Sequence, residues 1–135
     1  MKITRHFARR FRLLQLLILS LIFGAIYDLV FAALMVAAPG IPARLFHLPL
    51  PGERFYLWIM ATFLIMLAGC YVLAAHDPRR HSGIIAIAIV GRWIGAFAFA
   101  LAAWLDPGLI GLYPLAAADL LIGAAHAACW VPLRA

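Results

Sequence analysis

The stretch LLQLLILSLIFGAIYDLVFAALMVAA at residues 13–38 decides the fold, because it is almost entirely apolar over more than the length of one membrane crossing. A helix needs about 20 such residues to cross about 30 Å of hydrocarbon. Three further apolar runs follow at residues 55–75, 83–105 and 109–131. Barrel strands would be about ten residues of alternating polarity, and an open sheet cannot satisfy its backbone in lipid. The sequence therefore predicts an all-α integral membrane bundle of four helices.

The overall composition agrees with this prediction. Of the 135 residues, 67% are hydrophobic and only 12% are charged, far outside the usual range for soluble domains. We see no internal repeat and expect a single domain over residues 1–135. A cleaved signal peptide is the alternative interpretation of the first run, since a basic segment precedes it. That run is about twice as long as a typical signal-peptide apolar region and contains Asp28, so we expect it to remain as a membrane helix.

Basic side chains predict the orientation of the bundle, because Lys and Arg accumulate on the cytoplasmic side of a membrane. Arg44 and Arg54 fall in the first connection, on one side. Eight others share the opposite side: Lys2, Arg5, Arg9, Arg10, Arg12, Arg79, Arg80 and Arg134. Both termini are therefore expected in the cytoplasm, with the protein in a bacterial inner membrane. Short later connections make neighbouring helices antiparallel.

The net charge of +6 is interpreted as an orientation signal and as a contact for anionic lipid at the basic amino terminus. A docking tail for nucleic acid or protein is the less favoured alternative, and we expect no nucleic-acid partner. Aromatic rings with a polar edge are expected at the membrane interfaces. We place Trp58, Trp104 and Tyr113 at the outer interface, and Trp130 and Tyr71 at the inner one.

Three ionisable residues, Asp28, Arg92 and Asp119, lie inside the apolar runs. Each is about ten residues from an end of its run, which is about 15 Å of helix and close to the membrane midplane. Charges at this depth usually face the bundle interior and pair with one another. We therefore expect Arg92 to lie between the two carboxylates, with its donors divided between them. Such a cluster would be net acidic by one charge, which a proton, a cation or a hydrogen-bonding ligand could balance.

This charged cluster could also be architecture alone, because buried ion pairs are better attested as specifiers of one helix arrangement than as stabilisers. A second alternative concerns Pro114, which would suit the first position of helix four. A helix that starts there would put Asp119 only about 8 Å from the outer surface. In that case only Asp28 could pair with Arg92.

His126, Tyr27 and Trp93 are candidate neighbours of the cluster. His126 follows Asp119 on the same helical face and could continue a proton path toward the cytoplasm, although a His near a helix end is more often interfacial. Tyr27 and Trp93 adjoin cluster residues in sequence, so they point about 100° away from them and could line a neighbouring apolar cavity. No further ligand stands at metal-binding spacing from the histidine, and the two cysteines form no CxxC pair. We therefore expect no metal site and no cofactor.

Five stretches carry a resemblance to a known family: YDLVFAALM, PGERFYLW, LAAHDPRR, GRWIGAFAFALAA and LYPLAAADLLIGAAH. Together they span nearly the whole chain, which resembles the BphX-like family of small four-helix membrane proteins. Genes of that family accompany clusters for the degradation of aromatic compounds in bacteria. The family has no established activity, so no catalytic residue is implied. The resemblance implies a cytoplasmic-membrane location and an accessory role near hydrophobic aromatic substrates.

Three classes of function follow from these features. The leading one is a non-catalytic accessory protein that binds a membrane partner or a small hydrophobic compound, with self-association as a further option. A small proton-coupled transporter using Asp28 is second, although four-helix multidrug pumps leave their acid free of an internal arginine such as Arg92. A small membrane enzyme is third. Glu53 and Arg54 faintly match a glutathione-using signature, but that signature needs asparagine, which this sequence lacks.

Overall fold

Helices form nearly the whole of the chain. A computed structural model describes residues 2–134, with side chains described from residue 8 onward. The elements are α1 Lys2–Ala37, α2 Gly40–Leu45, α3 Arg54–His76, α4 Ser82–Leu105, a 3-10 turn Pro107–Leu109, and α5 Leu112–Arg134. No β-strand occurs within residues 2–134. The predicted all-helical class is therefore confirmed.

The first helix is longer than its apolar run. α1 begins at Lys2, whereas the run begins at residue 13. The intervening segment contains several arginines and neither Gly nor Pro. Arginine is a good helix former, so the basic segment continues the helix beyond the apolar part.

Both connections opposite the termini contain helical turns. The short helix α2 lies in the first of them, where the proline-rich sequence predicts only a break between helices. In the second, a 3-10 turn at Pro107–Leu109 delays the start of α5 to Leu112, later than the expected residue 109. Asp106 caps that turn, since its Oδ1 accepts a hydrogen bond from the Gly108 backbone N–H at 2.8 Å.

Small side chains fill the interior between the four long helices. α1 packs mainly against α3, α4 packs mainly against α5, and α1 also contacts α5. Small residues let helices approach closely, which is how helices associate where lipid offers no hydrophobic driving force. The buried alanines are Ala25, Ala32, Ala61, Ala68, Ala74, Ala88, Ala96, Ala103 and Ala116.

The outer surface of the bundle is apolar. Phe63, Phe97 and Trp104 are 62%, 69% and 74% exposed, respectively. A soluble bundle buries such side chains, and large exposed apolar surfaces mark contact with a membrane or a partner. Four helical segments are long and apolar enough to cross a membrane: Ala8–Ala37, Arg54–His76, Ser82–Leu105 and Leu112–Arg134.

Gly111 joins the first connection to the start of α5. A Cβ atom at Gly111 would collide with the carbonyl oxygen of Phe46, so only glycine leaves room for this contact. The Phe46 ring in turn stacks on Phe31 of α1, with 6.0 Å between ring centroids. These contacts hold three helices together at the end of the bundle opposite the termini.

Candidate functional site

Arg92 is the centre of a polar cluster to which each of the four long helices contributes. Its Nη2 donates to Asp28 Oδ1 of α1 at 2.6 Å, and its Nη1 donates to Asp119 Oδ1 of α5 at 2.6 Å. Its Nε donates to the hydroxyl oxygen of Tyr71 of α3 at 2.8 Å. The structure thus brings together the three charged residues found in the apolar runs. We call Asp28, Tyr71, Arg92 and Asp119 the Arg92 cluster.

The three charged members of the Arg92 cluster are almost completely enclosed. Asp28, Arg92 and Asp119 are 0%, 5% and 8% exposed. Pro114 lies in the first turn of α5, which starts at Leu112, and Asp119 follows about two turns after that start. Asp119 reaches Arg92 from there, so the alternative in which only Asp28 pairs with Arg92 is not the observed arrangement.

One fully buried carboxylate oxygen of the cluster is left without a partner. Asp28 Oδ2 is buried and accepts no hydrogen bond from any described residue. With both carboxylates and the guanidinium ionised, the cluster carries a formal charge of −1. A buried, uncompensated acceptor is costly, so this oxygen is where a proton or a donor group would bind.

Tyr71 is the member of the cluster that sequence reasoning missed. Its expected position at the inner membrane interface is wrong, because the residue is 0% exposed and its hydroxyl accepts from Arg92. Its ring also lies 5.4 Å from the Arg92 Cζ atom. The burial of Tyr71 could have been inferred from Ala68 and Ala74, which lie three residues before and after it on the same face of α3. A helix face with small residues at this spacing usually packs against other helices.

His126 lies beside the cluster and is buried. It is 1% exposed, so it is not an interfacial residue, and its Nδ1 hydrogen-bonds to the carbonyl oxygen of Ile122. Its ring centroid lies 5.4 Å from that of Tyr71, while its Nε2 has no hydrogen-bond partner among the described residues. A Cβ at Gly24 of α1 would lie 3.3 Å from the Tyr71 ring and 3.6 Å from the His126 ring. Glycine at this position thus lets α1 approach both rings.

Tyr27 and Trp93 differ in their relation to the cluster. The ring centroid of Tyr27 lies 5.4 Å from the Arg92 Cζ atom, a cation–π distance, so Tyr27 faces the guanidinium instead of lining a separate cavity. Trp93 is 43% exposed, and a Cβ at Gly123 would lie 2.7 Å from its Nε1. Trp93 therefore covers the packing of α4 on α5 from outside.

A cavity of about 670 Å³ lies at the end of the bundle that contains the last turn of α5 and the connection between α3 and α4. Its lining combines apolar and basic side chains: Arg10, Phe11, Leu14, Leu17, Pro78, Arg79, Ser82, Trp130, Leu133 and Arg134. The Nη2 of Arg10 donates to the Leu133 carbonyl oxygen at 3.0 Å, which joins α1 to the last turn of α5. We call it the inner-end cavity, because the sequence predicts that this end of the bundle faces the cytoplasm. The cavity itself could not be predicted from the sequence, because its lining comes from three distant parts of the chain.

Among the side chains that the structure describes, those of residues 8–134, no group of three His, Cys, Asp or Glu is placed to hold a metal ion. Comparison of the chain with family models, curated proteins and solved structures finds no match. The resemblance to the BphX-like family therefore stays a prediction.

Proposed function

We propose that the chain is a multi-pass protein of the bacterial cytoplasmic membrane, with both termini in the cytoplasm. Arg10, Arg79 and Arg134 line one cavity, so the basic residues of three separate segments share one end of the bundle. Arg44 and Arg54 belong to α2 and to the start of α3, in the connection opposite. This asymmetry is the one that positions Lys and Arg on the cytoplasmic side.

Within that membrane, the chain acts as a non-catalytic accessory protein that binds a small hydrophobic compound or a membrane partner. The observation that carries this proposal is the inner-end cavity. Its volume of about 670 Å³ falls within the range of about 300–1,000 Å³ that small-molecule sites occupy. Phe11, Leu14 and Trp130 supply the apolar and aromatic lining that such sites use.

A native mass spectrum of the protein, extracted gently from its own membrane, tests this proposal. We expect one small apolar molecule per chain, and the same spectrum reports self-association or a bound partner. Leu14→Trp should abolish retention by filling the cavity. Leu16→Trp is the matched control, because Leu16 is 52% exposed and does not line the cavity. A spectrum without any small molecule or partner, or a molecule equally retained by both variants, would contradict the proposal.

A proton-coupled transporter that uses Asp28 is the second candidate. The free Asp28 Oδ2 and the formal charge of −1 on the Arg92 cluster favour it, since both leave room for a proton. The hydrogen bond from Arg92 to Asp28 Oδ1 opposes it, because the same carboxylate is already occupied. Proteoliposomes with a proton gradient and a cationic dye separate the two candidates. A transporter loses uptake in Asp28→Asn while folding normally, whereas normal uptake by that variant ends this second candidate.

A further inference from the structure

The mouth of the inner-end cavity carries three arginines from different segments. Arg10 belongs to α1, Arg79 to the connection between α3 and α4, and Arg134 to the last turn of α5. All three are exposed, and no acidic side chain is among the described residues that line the cavity. The mouth is therefore strongly positive.

The interior of the cavity is apolar. Leu17 is 0% exposed, and Leu14, Trp130 and Leu133 are half-buried. The guanidinium of Arg134 lies over the Trp130 ring, with 4.7 Å between Cζ and the ring centroid. A guanidinium held on an aromatic face keeps its edge for planar anions. The cavity thus combines a buried apolar part with an exposed cationic part.

Backbone charges at the cavity add to this polarity. Ser82 is the first residue of α4 and lines the cavity, so the partly positive amino end of that helix faces it. The carboxyl end of α5 would contribute the opposite sign, but Arg10 donates to its Leu133 carbonyl oxygen. That bond uses one of the five N–H groups of the Arg10 guanidinium.

We propose that the inner-end cavity binds an amphiphilic anion, which is a carboxylate or phosphate head joined to a compact apolar chain or ring. The arginines bind the head, and the leucines and Trp130 bind the apolar part. This inference rests on the proposed function, because it names the class of compound that the cavity takes. The compound is either an anionic phospholipid of the surrounding leaflet or a free amphiphilic acid, since both present the same chemistry.

Decyl phosphate and decanol are suitable probes, because they share one apolar chain and differ in the charge of the head. The full chain is placed in nanodiscs of phosphatidylcholine and titrated with each probe at neutral pH, and native mass spectrometry counts the bound molecules. Each arginine near a membrane surface strengthens binding of an anion roughly fivefold. We therefore expect one decyl phosphate per chain, bound about 100-fold more tightly than decanol if the three arginines act additively.

Arg79→Gln should weaken the binding of decyl phosphate roughly fivefold and leave decanol unchanged. Arg80→Gln is the matched control, because Arg80 carries the same charge at the next position and does not line the cavity. Equal weakening by both variants would show a general surface charge effect and would overturn the proposed site.

The remaining outcomes separate this inference from the proposed function. If decyl phosphate and decanol bind equally and Leu14→Trp removes the binding of both, the proposed binding of a hydrophobic compound is supported. The inference that the cavity selects an anionic head is then refuted. If neither probe binds, the inference of an amphiphilic anion fails, and the proposed function is decided separately by the mass spectrum of the protein extracted from its own membrane. In nanodiscs that contain phosphatidylglycerol, retention of that lipid and its displacement by decyl phosphate identify the bilayer as the source. Binding of decyl phosphate without such competition supports a free amphiphilic acid.

Discussion

Replacement of Arg92 by methionine is the sharpest test of the Arg92 cluster, because it removes every donor at the centre and keeps much of the side-chain volume. Three hydrogen bonds are lost, to Asp28, Tyr71 and Asp119. At about 0.6 kcal/mol for a typical polar contact between membrane helices, their sum is about 2 kcal/mol. Leaving carboxylates buried without a cation raises the cost toward about 3–5 kcal/mol. We therefore expect the free energy of unfolding to fall by about 2–5 kcal/mol.

The triple variant Asp28→Val/Arg92→Met/Asp119→Val should recover most of that loss. An apolar cluster of similar volume leaves no buried charge, and such replacements of ion pairs are often neutral or stabilising. Unfolding by sodium dodecyl sulfate, followed by tryptophan fluorescence, measures both free energies. Arg80→Met is the matched control for loss of an arginine, because Arg80 is exposed, and it should change stability by less than about 0.5 kcal/mol.

Two results would refute this reasoning. A triple variant as unstable as Arg92→Met would show that the polar contacts themselves stabilise the fold. A loss below about 1 kcal/mol in Arg92→Met would show that the carboxylates are not left as buried charges, for example because they bind protons.

Further substitutions test individual contacts. Tyr71→Phe removes the acceptor of the Arg92 Nε and should cost about 1–3 kcal/mol in the same unfolding assay; no loss would show that this donor finds another partner. Gly111→Ala should cost about 1–3 kcal/mol, because its Cβ would collide with the Phe46 carbonyl oxygen. Gly52→Ala is the control for Gly111, since its Cβ would meet no atom within 4 Å, and an equal effect of both would contradict the close contact.

The four long helices could be predicted because length and composition alone separate a membrane crossing from other structures. The meeting of Asp28, Arg92 and Asp119 was also predictable. Each residue lies about ten positions from an end of its run, and antiparallel helices of similar length bring equal depths together. The depth of a residue in the membrane can be predicted by counting residues from the end of its helix. This count does not require the rotation of the helix about its own axis.

The rotation of each helix about its own axis could not be predicted from the sequence. Helices that are apolar all round have no polar face to identify the buried side. Tyr71 and His126 lie toward the ends of their apolar runs, so both fit a membrane interface as well as an interior. Their burial depends on Gly24, whose missing side chain lets α1 approach both rings. The inner-end cavity was hidden for a related reason, since Arg10 and Arg134 come together only after packing.

The Arg92 cluster and the inner-end cavity can be assigned different roles by one comparison. Helices that pack through alanines can do so in several rotations about their axes. The Arg92 cluster takes one residue from each long helix, so its contacts form in only one of these arrangements. If the cluster is architecture, Arg92→Met should lose decyl phosphate binding together with stability, and the triple apolar variant should recover both. Arg79→Gln should weaken decyl phosphate binding roughly fivefold and leave stability unchanged. A stable triple variant that no longer binds would instead show that the charges of the cluster act on the ligand, and the architectural role would be wrong.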